Sequence, residues 1–235
     1  MEPINQKRMS TTDIVYEKLK NAIITRELLP GERIKESSLT DKLQVSRTPL
    51  RGALKLLEYE GFITRNISGR IHVSNLSIKE FKDIYELERV LEAKAIKDVT
   101  QNWQGDDLDK LDEIIQKIKA GYNKEKNNLD KSMTEKDLKK YNMLNVEFHK
   151  TIIDLHGNIE FLNNFNNIED KHLRYAHISF SNDKERFLNA SQEHIKIHNL
   201  IKERKSEEVV EVAHKHKKNA EKEILKKLKE YINKN

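Results

Sequence analysis

The chain has 235 residues, of which 35% are charged, and it contains only 7 glycines, 3 prolines and no cysteine. So few turn-forming residues disfavour a strand-rich fold, and the lack of cysteine excludes disulfides, thiolate metal sites and thiol nucleophiles. No apolar run is long enough to cross a membrane, and the polar start "MEPINQKRMSTTD" has no signal-peptide core. We therefore expect a mainly α protein in the cytoplasm, without a membrane partner.

The positive charge of the chain lies in its first third. Residues 1–76 contain 13 Lys and Arg against 9 Asp and Glu, whereas the other 159 residues contain 31 against 30. A basic excess confined to one segment favours a polyanionic partner such as nucleic acid for that segment.

Three helices and a hairpin are predicted in residues 1–76. The first helix is predicted at residues 10–26 and the second at 36–43, with Ser37 as its N-cap. A third helix begins after the N-cap Ser46 and ends at Gly61. A Pro-Gly turn at 28–34 separates the first two helices, and the hairpin "FITRNISGRIHV" follows at 62–73. This order of elements predicts a winged helix-turn-helix domain.

The third helix separates polar from apolar residues in the way that DNA reading requires. Arg47, Arg51 and Lys55 share one face, and Leu50, Leu54 and Leu57 share another. The second helix of a helix-turn-helix motif presents its first turns to base edges, where arginine recognises guanine. Ser46 and Thr48 suit phosphate contacts. The competing interpretation is a solvated face, but the ordered set of elements favours DNA.

The stretch "PGERIKESSLTDKLQVSRTPLRGALKLLEYEGFI" resembles the DNA-binding domain of the GntR-type bacterial transcription regulators. The resemblance implies that Arg47, Thr48 and Arg51 read or clamp DNA. It implies further contacts from Ser37, and from Gly69 and Arg70 in the wing. Gly52 departs from the family pattern, which has glutamate there.

The chain after residue 76 is predicted to be an all-helical domain, residues 77–235. The predicted helices are 78–100, 106–121, 134–156, 158–179, 183–204 and 206–232, with breaks at "NWQG", "GYNKEKNNLDKSM" and "SFSND".

Eight of the nine histidines lie after residue 148 in this second domain. Asn145 and His149 project from one helix face, His194 stands on a later helix, and His216 points to the core side of the last helix. Three imidazoles and one side-chain oxygen could bind a divalent metal. By composition alone, four further histidines of the domain are equally available: His172, His177, His198 and His214.

A second resemblance concerns the helical effector (FCD) domain of the FadR-type branch of these regulators. The segments "NVEFH", "EH" and "AHKH" are similar to three motifs of that domain, in the same order. In its metal-binding members one Asp and three His are the ligands, which implies a site at Asn145, His149, His194 and His216. Asn145 stands in place of the Asp, so we expect weaker binding of a zinc, nickel or manganese ion.

The segment "YELERVLE" departs from the family pattern E-x-R-x-x-L-E at Glu88. The arginine of that pattern is thought to hold an effector carboxylate. Glu88 shares a helix face with apolar residues, so it points inward and needs a partner. The candidates are Arg89, Arg174 and a cationic group of the effector. The hypothesis is an effector other than a simple carboxylic acid, and the alternative is a structural Glu88–Arg pair.

The predicted function is a transcription regulator, without catalytic residues, whose binding to double-stranded operator DNA responds to a small-molecule effector. The resemblance implies a homodimer on a two-fold-symmetric operator, with repression as the commoner behaviour. One alternative is a metal-dependent hydrolase built on His149, His194 and His216, although no HExxH pair is present. A second alternative is a metal-free helical effector module.

Overall fold

A computed structural model describes residues 9–128, 133–179 and 184–234. Within these ranges the chain forms twelve elements. They are α1 (Thr11–Ile24), β1 (Arg33–Ile34), α2 (Glu36–Leu43), α3 (Arg47–Tyr59), β2 (Ile63–Arg65), β3 (Ile71–Val73), α4 (Ile78–Asn102), α5 (Asp109–Asn127), α6 (Glu135–His156), α7 (Ile159–Ser179), α8 (Lys184–Lys202) and α9 (Ser206–Ile232). The predicted mainly α class, with a winged helix-turn-helix before an all-helical region, is confirmed.

The chain divides into two compact units. The first comprises Met1–Ser77 with Leu173–His177, and the second comprises Ile78–His172 with Ile178–Asn235. None of the described helices is both long and apolar enough to span a bilayer.

The first unit packs α1 and α2 against α3 beside a three-stranded antiparallel sheet of order β1-β3-β2. Ser10 and Asp13 cap α1 reciprocally, since each side chain accepts a hydrogen bond from the backbone of the other. At the end of α3, the Glu60 carboxylate accepts a 2.6 Å hydrogen bond from the Tyr16 hydroxyl and lies 3.1 Å from Nζ of Lys20. Both partners lie on α1, so Glu60 joins the two helices.

For the first unit, one sequence prediction was inaccurate and one strand was not predicted. The helix α2 begins at Glu36, with Lys35 in the N-cap position, so Ser37 lies inside the first turn rather than capping it. The cause is the strand β1, which the sequence analysis missed. Because Arg33 and Ile34 pair with β3, the backbone stays extended through Lys35 and sets where the helix can begin.

The second unit is a bundle in which α4 packs on α6 and α9, and α5 packs on α6 and α8. Its helices match the predictions closely, except that α5 continues to Asn127 instead of ending near Gly121. Gly121 is a packing residue, because a Cβ there would overlap with Cε1 of the Tyr141 ring. Residues 129–132 and 180–183, in two of the predicted breaks, lie outside the described residues.

Candidate functional site

The helix α3 has an exposed polar first turn and a fully buried apolar back. The predicted DNA-contacting side chains of this turn are all exposed: Ser46, Arg47, Thr48 and Arg51. Leu50, Leu54 and Leu57 are each 0% exposed. Burial of these leucines fixes the helix on the unit through the hydrophobic effect and leaves the opposite face available to a ligand.

The surroundings of this turn orient one arginine. Nε of Arg51 donates a 2.9 Å hydrogen bond to Glu36 on α2, next to the exposed Ser37. Ser46 is the N-cap residue, as predicted, but its side chain makes no capping hydrogen bond. Arg51 is therefore partly positioned before any ligand arrives.

The predicted wing contacts lie in the turn between β2 and β3. Gly69 and Arg70 are both exposed there. The Asn66 side chain accepts a 2.9 Å hydrogen bond from the backbone N–H of Arg70, which stabilises the turn. The structure thus places every residue predicted to contact DNA on the surface of the first unit.

In the second unit, His149 of α6, His194 of α8 and His216 of α9 converge in the buried interior. They are 4%, 3% and 2% exposed, respectively. Nε2 of His149 lies 3.3 Å from Nε2 of His194 and 3.2 Å from Nε2 of His216. We refer to these three residues as the histidine triad.

Carboxylates lie behind two members of the triad. Nδ1 of His149 is 2.5 Å from Oε1 of Glu92, and Nδ1 of His216 is 2.7 Å from Oε2 of Glu193. A histidine that donates from Nδ1 to a carboxylate keeps a lone pair on Nε2, the arrangement common behind metal-bound histidines. The two facing lone pairs repel at 3.2 Å, and a shared cation would remove that repulsion. The residues therefore fit a metal ion.

The protonation states of the triad agree with this arrangement. Burial lowers the pKa of His149 and holds that of His194 well below its usual range. Burial also lowers the pKa of His216 to about 4, against the opposing effect of Glu193. Neutral imidazole is the form that binds metals. Asn145, the predicted fourth ligand, is half-buried one turn before His149 on α6.

Glu88 points inward, as its helical position predicted, and is 2% exposed. Its partners, however, are Lys217, whose Nζ lies 2.8 Å from Oε1, and His172, whose Nδ1 lies 2.8 Å from Oε2. Neither arginine that the sequence analysis offered fills this role. Arg89 is exposed on α4, and Arg174 belongs to the first unit, where its Nη2 donates a 2.7 Å hydrogen bond to the carbonyl oxygen of Ser74.

Lys217 joins Glu88 to the histidine triad, because its Nζ also lies 2.8 Å from Oε2 of Glu92. Burial alone would raise the pKa of Glu88, but His172 and Lys217 outweigh it and hold that pKa below its usual range. Burial would lower the pKa of Lys217, yet Glu88 and Glu92 raise it. His149 and Lys217 likewise hold the pKa of Glu92 below its usual range against the effect of burial. Lys217, Glu88 and Glu92 are therefore charged, and they form a continuous buried ion-pair network that ends at His149.

Comparisons with known proteins assign the chain to a protein family. The family described as bacterial regulatory proteins, gntR family, matches residues 11–73, and the FCD domain matches residues 83–219, more than half of the chain. The chain belongs to the GntR family. It is a GntR transcription regulator with an FCD domain, so the hydrolase alternative is set aside, and the match to 11–73 argues against a helical module alone.

Individual relatives of this GntR regulator agree. The Nta operon transcriptional regulator of Aminobacter aminovorans is 31% identical over 180 residues, covering 76% of this chain and 78% of that protein. YdhC of Bacillus subtilis, an HTH-type transcriptional regulator, is 26% identical over 155 residues, 66% of this chain and 65% of that protein, just under two thirds of its length.

Solved structures share the fold of this regulator. McbR/YncC of E. coli has a TM-score of 0.71 at 17% identity, covering 90% of this chain and 95% of that one. A structural-genomics crystal structure assigned as a GntR transcriptional regulator, from Rhodococcus sp. RHA1, has a TM-score of 0.72 at 18% identity, covering 92% and 98%. These identities establish a common fold and nothing finer.

Proposed function

We propose that this GntR regulator is a cytoplasmic homodimeric repressor that binds a two-fold-symmetric operator with residues 1–76 and releases it in response to an effector. Residues 77–235 would bind the effector and form the dimer. Repression is the function named for a relative, the gluconate operon transcriptional repressor of Bacillus licheniformis, 28% identical over 62% of this chain. The observation that carries the proposal is the exposed first turn of α3 on a fully buried leucine face.

In this proposal α3 enters the major groove. Arg47 and Arg51 recognise guanine through paired N–H donors, while Ser46, Thr48 and Ser37 contact phosphates. Glu36 holds Arg51 by one hydrogen bond, which reduces the conformational entropy that the side chain loses on binding. Gly69 and Arg70 in the wing contact the adjacent backbone or minor groove.

Substitution of the two arginines tests the DNA interface. Arg47→Ala or Arg51→Ala should each reduce discrimination between the operator and unrelated DNA by about 1–3 kcal/mol, because a bidentate guanine contact is lost. Titrations with labelled DNA from the adjacent intergenic region, at fixed salt, measure this difference.

The matched control is Lys110→Ala, which removes one exposed positive charge from α5 in the second unit. It should leave operator discrimination unchanged. Equal discrimination by the wild type and both arginine variants would contradict the proposed interface.

We further propose that the histidine triad, with Asn145 as fourth ligand, holds one divalent metal ion. Zinc, nickel and manganese all accept imidazole ligands, and the neutral amide oxygen of Asn145 would lower the affinity compared with a carboxylate. The ion would provide a positive charge that can attract an oxygen of the effector. Glu92 and Glu193 would orient His149 and His216 through their Nδ1–H groups.

The metal site is tested through one of these orienting carboxylates. Glu193→Gln should weaken metal binding about 10–100-fold, the usual effect of changing the partner behind a metal-bound histidine, because a neutral amide oxygen is a weaker acceptor than a carboxylate. Competition titrations of the metal-stripped protein with a chromophoric chelator give the affinity.

Glu185→Gln, an exposed position on the same helix α8, is the matched control and should leave metal affinity unchanged. His149→Ala should abolish binding. Tight, stoichiometric binding to His149→Ala would locate the metal elsewhere and contradict the proposal.

The proposed effector site lies beside this metal, at Glu88. Of the three residues predicted to contact the effector, the contacts favour only Glu88, because Arg89 is exposed and Arg174 already donates to Ser74.

A further inference from the structure

Two buried polar groups beside Glu88 make no hydrogen bond to any of the described residues. Tyr85 lies three residues before Glu88 on α4 and is 3% exposed. Its ring contacts the His172 ring edge-on at 4.9 Å, yet its hydroxyl makes no hydrogen bond to any described residue. A buried hydroxyl without a partner is destabilising, and a ligand that supplies one is stabilised in return.

Glu169 is the second such group. It lies three residues before His172 on α7, so both side chains leave the helix on one face. It is 9% exposed, and no hydrogen bond or ion pair connects its carboxyl group to another described residue. Burial, followed by the negative charge of Glu88, raises the pKa of Glu169 to about 7. A cation placed between Glu169 and Glu88 would favour both carboxylates.

The cationic side chains beside Glu88 and Tyr85 already contact carboxylates, whereas Lys150, whose charge lowers the pKa of Glu169, is exposed on α6. Lys217 contacts both Glu88 and Glu92. Arg186, whose charge also reaches Tyr85, lies 3.3 Å from Oε2 of Glu193. An effector carboxylate beside Glu88 would therefore meet carboxylates on two sides, and the cations next to it already contact Glu88, Glu92 and Glu193.

We propose that Tyr85, Glu88 and Glu169 form a subsite for a cationic hydrogen-bond donor of the effector, a primary ammonium group. The inference rests on the proposed effector site beside the histidine triad. The ammonium group donates to the Tyr85 oxygen and to the two carboxylates, and its charge balances the excess negative charge of Glu88 and Glu169. An effector of this kind is an amine or an amino acid rather than a dicarboxylate.

The test uses the full-length protein and two small probes of similar shape, ethylammonium and propanoate, with sodium chloride at equal ionic strength. Ligand-observed saturation-transfer NMR at about pH 8, where Glu169 is ionised, measures weak binding of each probe. Ethylammonium should bind the wild type, and Glu169→Gln should weaken it about tenfold, the typical value of a charge-assisted hydrogen bond. Tyr85→Phe, which keeps the ring contact with His172, should weaken it less.

Glu160→Gln, an exposed position on the same helix α7, is the matched control and should leave ethylammonium binding unchanged. The inference is overturned if ethylammonium does not bind, or if it binds Glu169→Gln as it binds the wild type. The inference is also overturned if propanoate binds the wild type and Glu169→Gln weakens that binding. Removing a carboxylate near a bound anion removes a repulsion, so it cannot lower the affinity for the anion in the proposed subsite.

Operator binding by the same preparation separates the two proposals. If the wild type discriminates operator DNA but ethylammonium binding does not change in Glu169→Gln, only the ammonium subsite is contradicted. If the wild type does not discriminate operator from unrelated DNA, the proposed function fails whatever the NMR result.

Discussion

Glu169 makes the stability of the regulator depend on pH. Its pKa is raised to about 7 from an ordinary 4.5, so between these values the folded state binds more protons than the unfolded state. The stability that this group contributes is therefore present below pH 4.5 and is lost as the pH rises from 4.5 to about 7. The loss approaches about 3 kcal/mol above the folded-state pKa.

The substitution Glu169→Gln removes this penalty. Wild type and variant should unfold at similar temperatures at about pH 5, and the variant should be the more stable at about pH 8. Thermal unfolding followed by circular dichroism at both pH values measures the difference, with the exposed Glu160→Gln as control. A pH-independent difference between wild type and Glu169→Gln would show that ionisation of Glu169 is not its source.

Lys217 is one of the site residues that were not predicted from the sequence. The sequence does contain an indication that Lys217 points inward, since it follows Val209 and Ala213 at four-residue intervals on the buried face of α9. Lysine is rarely buried without a partner, so composition argued against that placement. The inward direction of Glu88 was predictable from its own helix, but its partner on α9, 129 residues away, was not.

At the scale of elements, amphipathic periodicity located the helices because each helix buries one stripe of apolar side chains. Periodicity did not detect β1, since two residues cannot form a pattern, and it misplaced the end of α5 at Gly121. The residue at position 121 must be glycine because the ring of Tyr141, on a different helix, leaves no room for a Cβ there. Local sequence does not specify which residue of another helix will approach.

Close approach of two helices also accounts for Gly52, where the family pattern has glutamate. A Cβ at this position of α3 would lie 2.9 Å from Cγ2 of Thr12 on α1, so any larger residue must displace Thr12. Gly52→Ala alone should therefore gain little stability. In a Thr12→Ser background, which lacks Cγ2, it should gain about 1 kcal/mol from helix propensity. A double-mutant cycle on the full chain, by thermal unfolding, measures the coupling. An equal gain in both backgrounds would exclude Thr12 as the cause.

At the scale of the whole molecule, the histidine triad links parts of the chain that are far apart in sequence. His149 lies 45 residues from His194 and 67 from His216, and spacing alone cannot predict that such residues meet. The resemblance to FCD motifs pointed to the three histidines that converge, among the eight of the domain, because it carries information on tertiary contacts that periodicity lacks.

A metal on the triad would connect α6, α8 and α9 in the folded state only, so it should stabilise the protein by mass action. At a free metal concentration 100-fold above Kd the gain is about 2.7 kcal/mol. A chelator should therefore lower the unfolding temperature of the metal-loaded full chain, as differential scanning calorimetry can measure. His149→Ala should unfold at one temperature with or without chelator. His214→Ala, an exposed histidine two residues before His216 on α9, should respond as the wild type does. Because both variants remove one imidazole, a chelator effect that persists in His149→Ala would assign the stabilising ion to a different site.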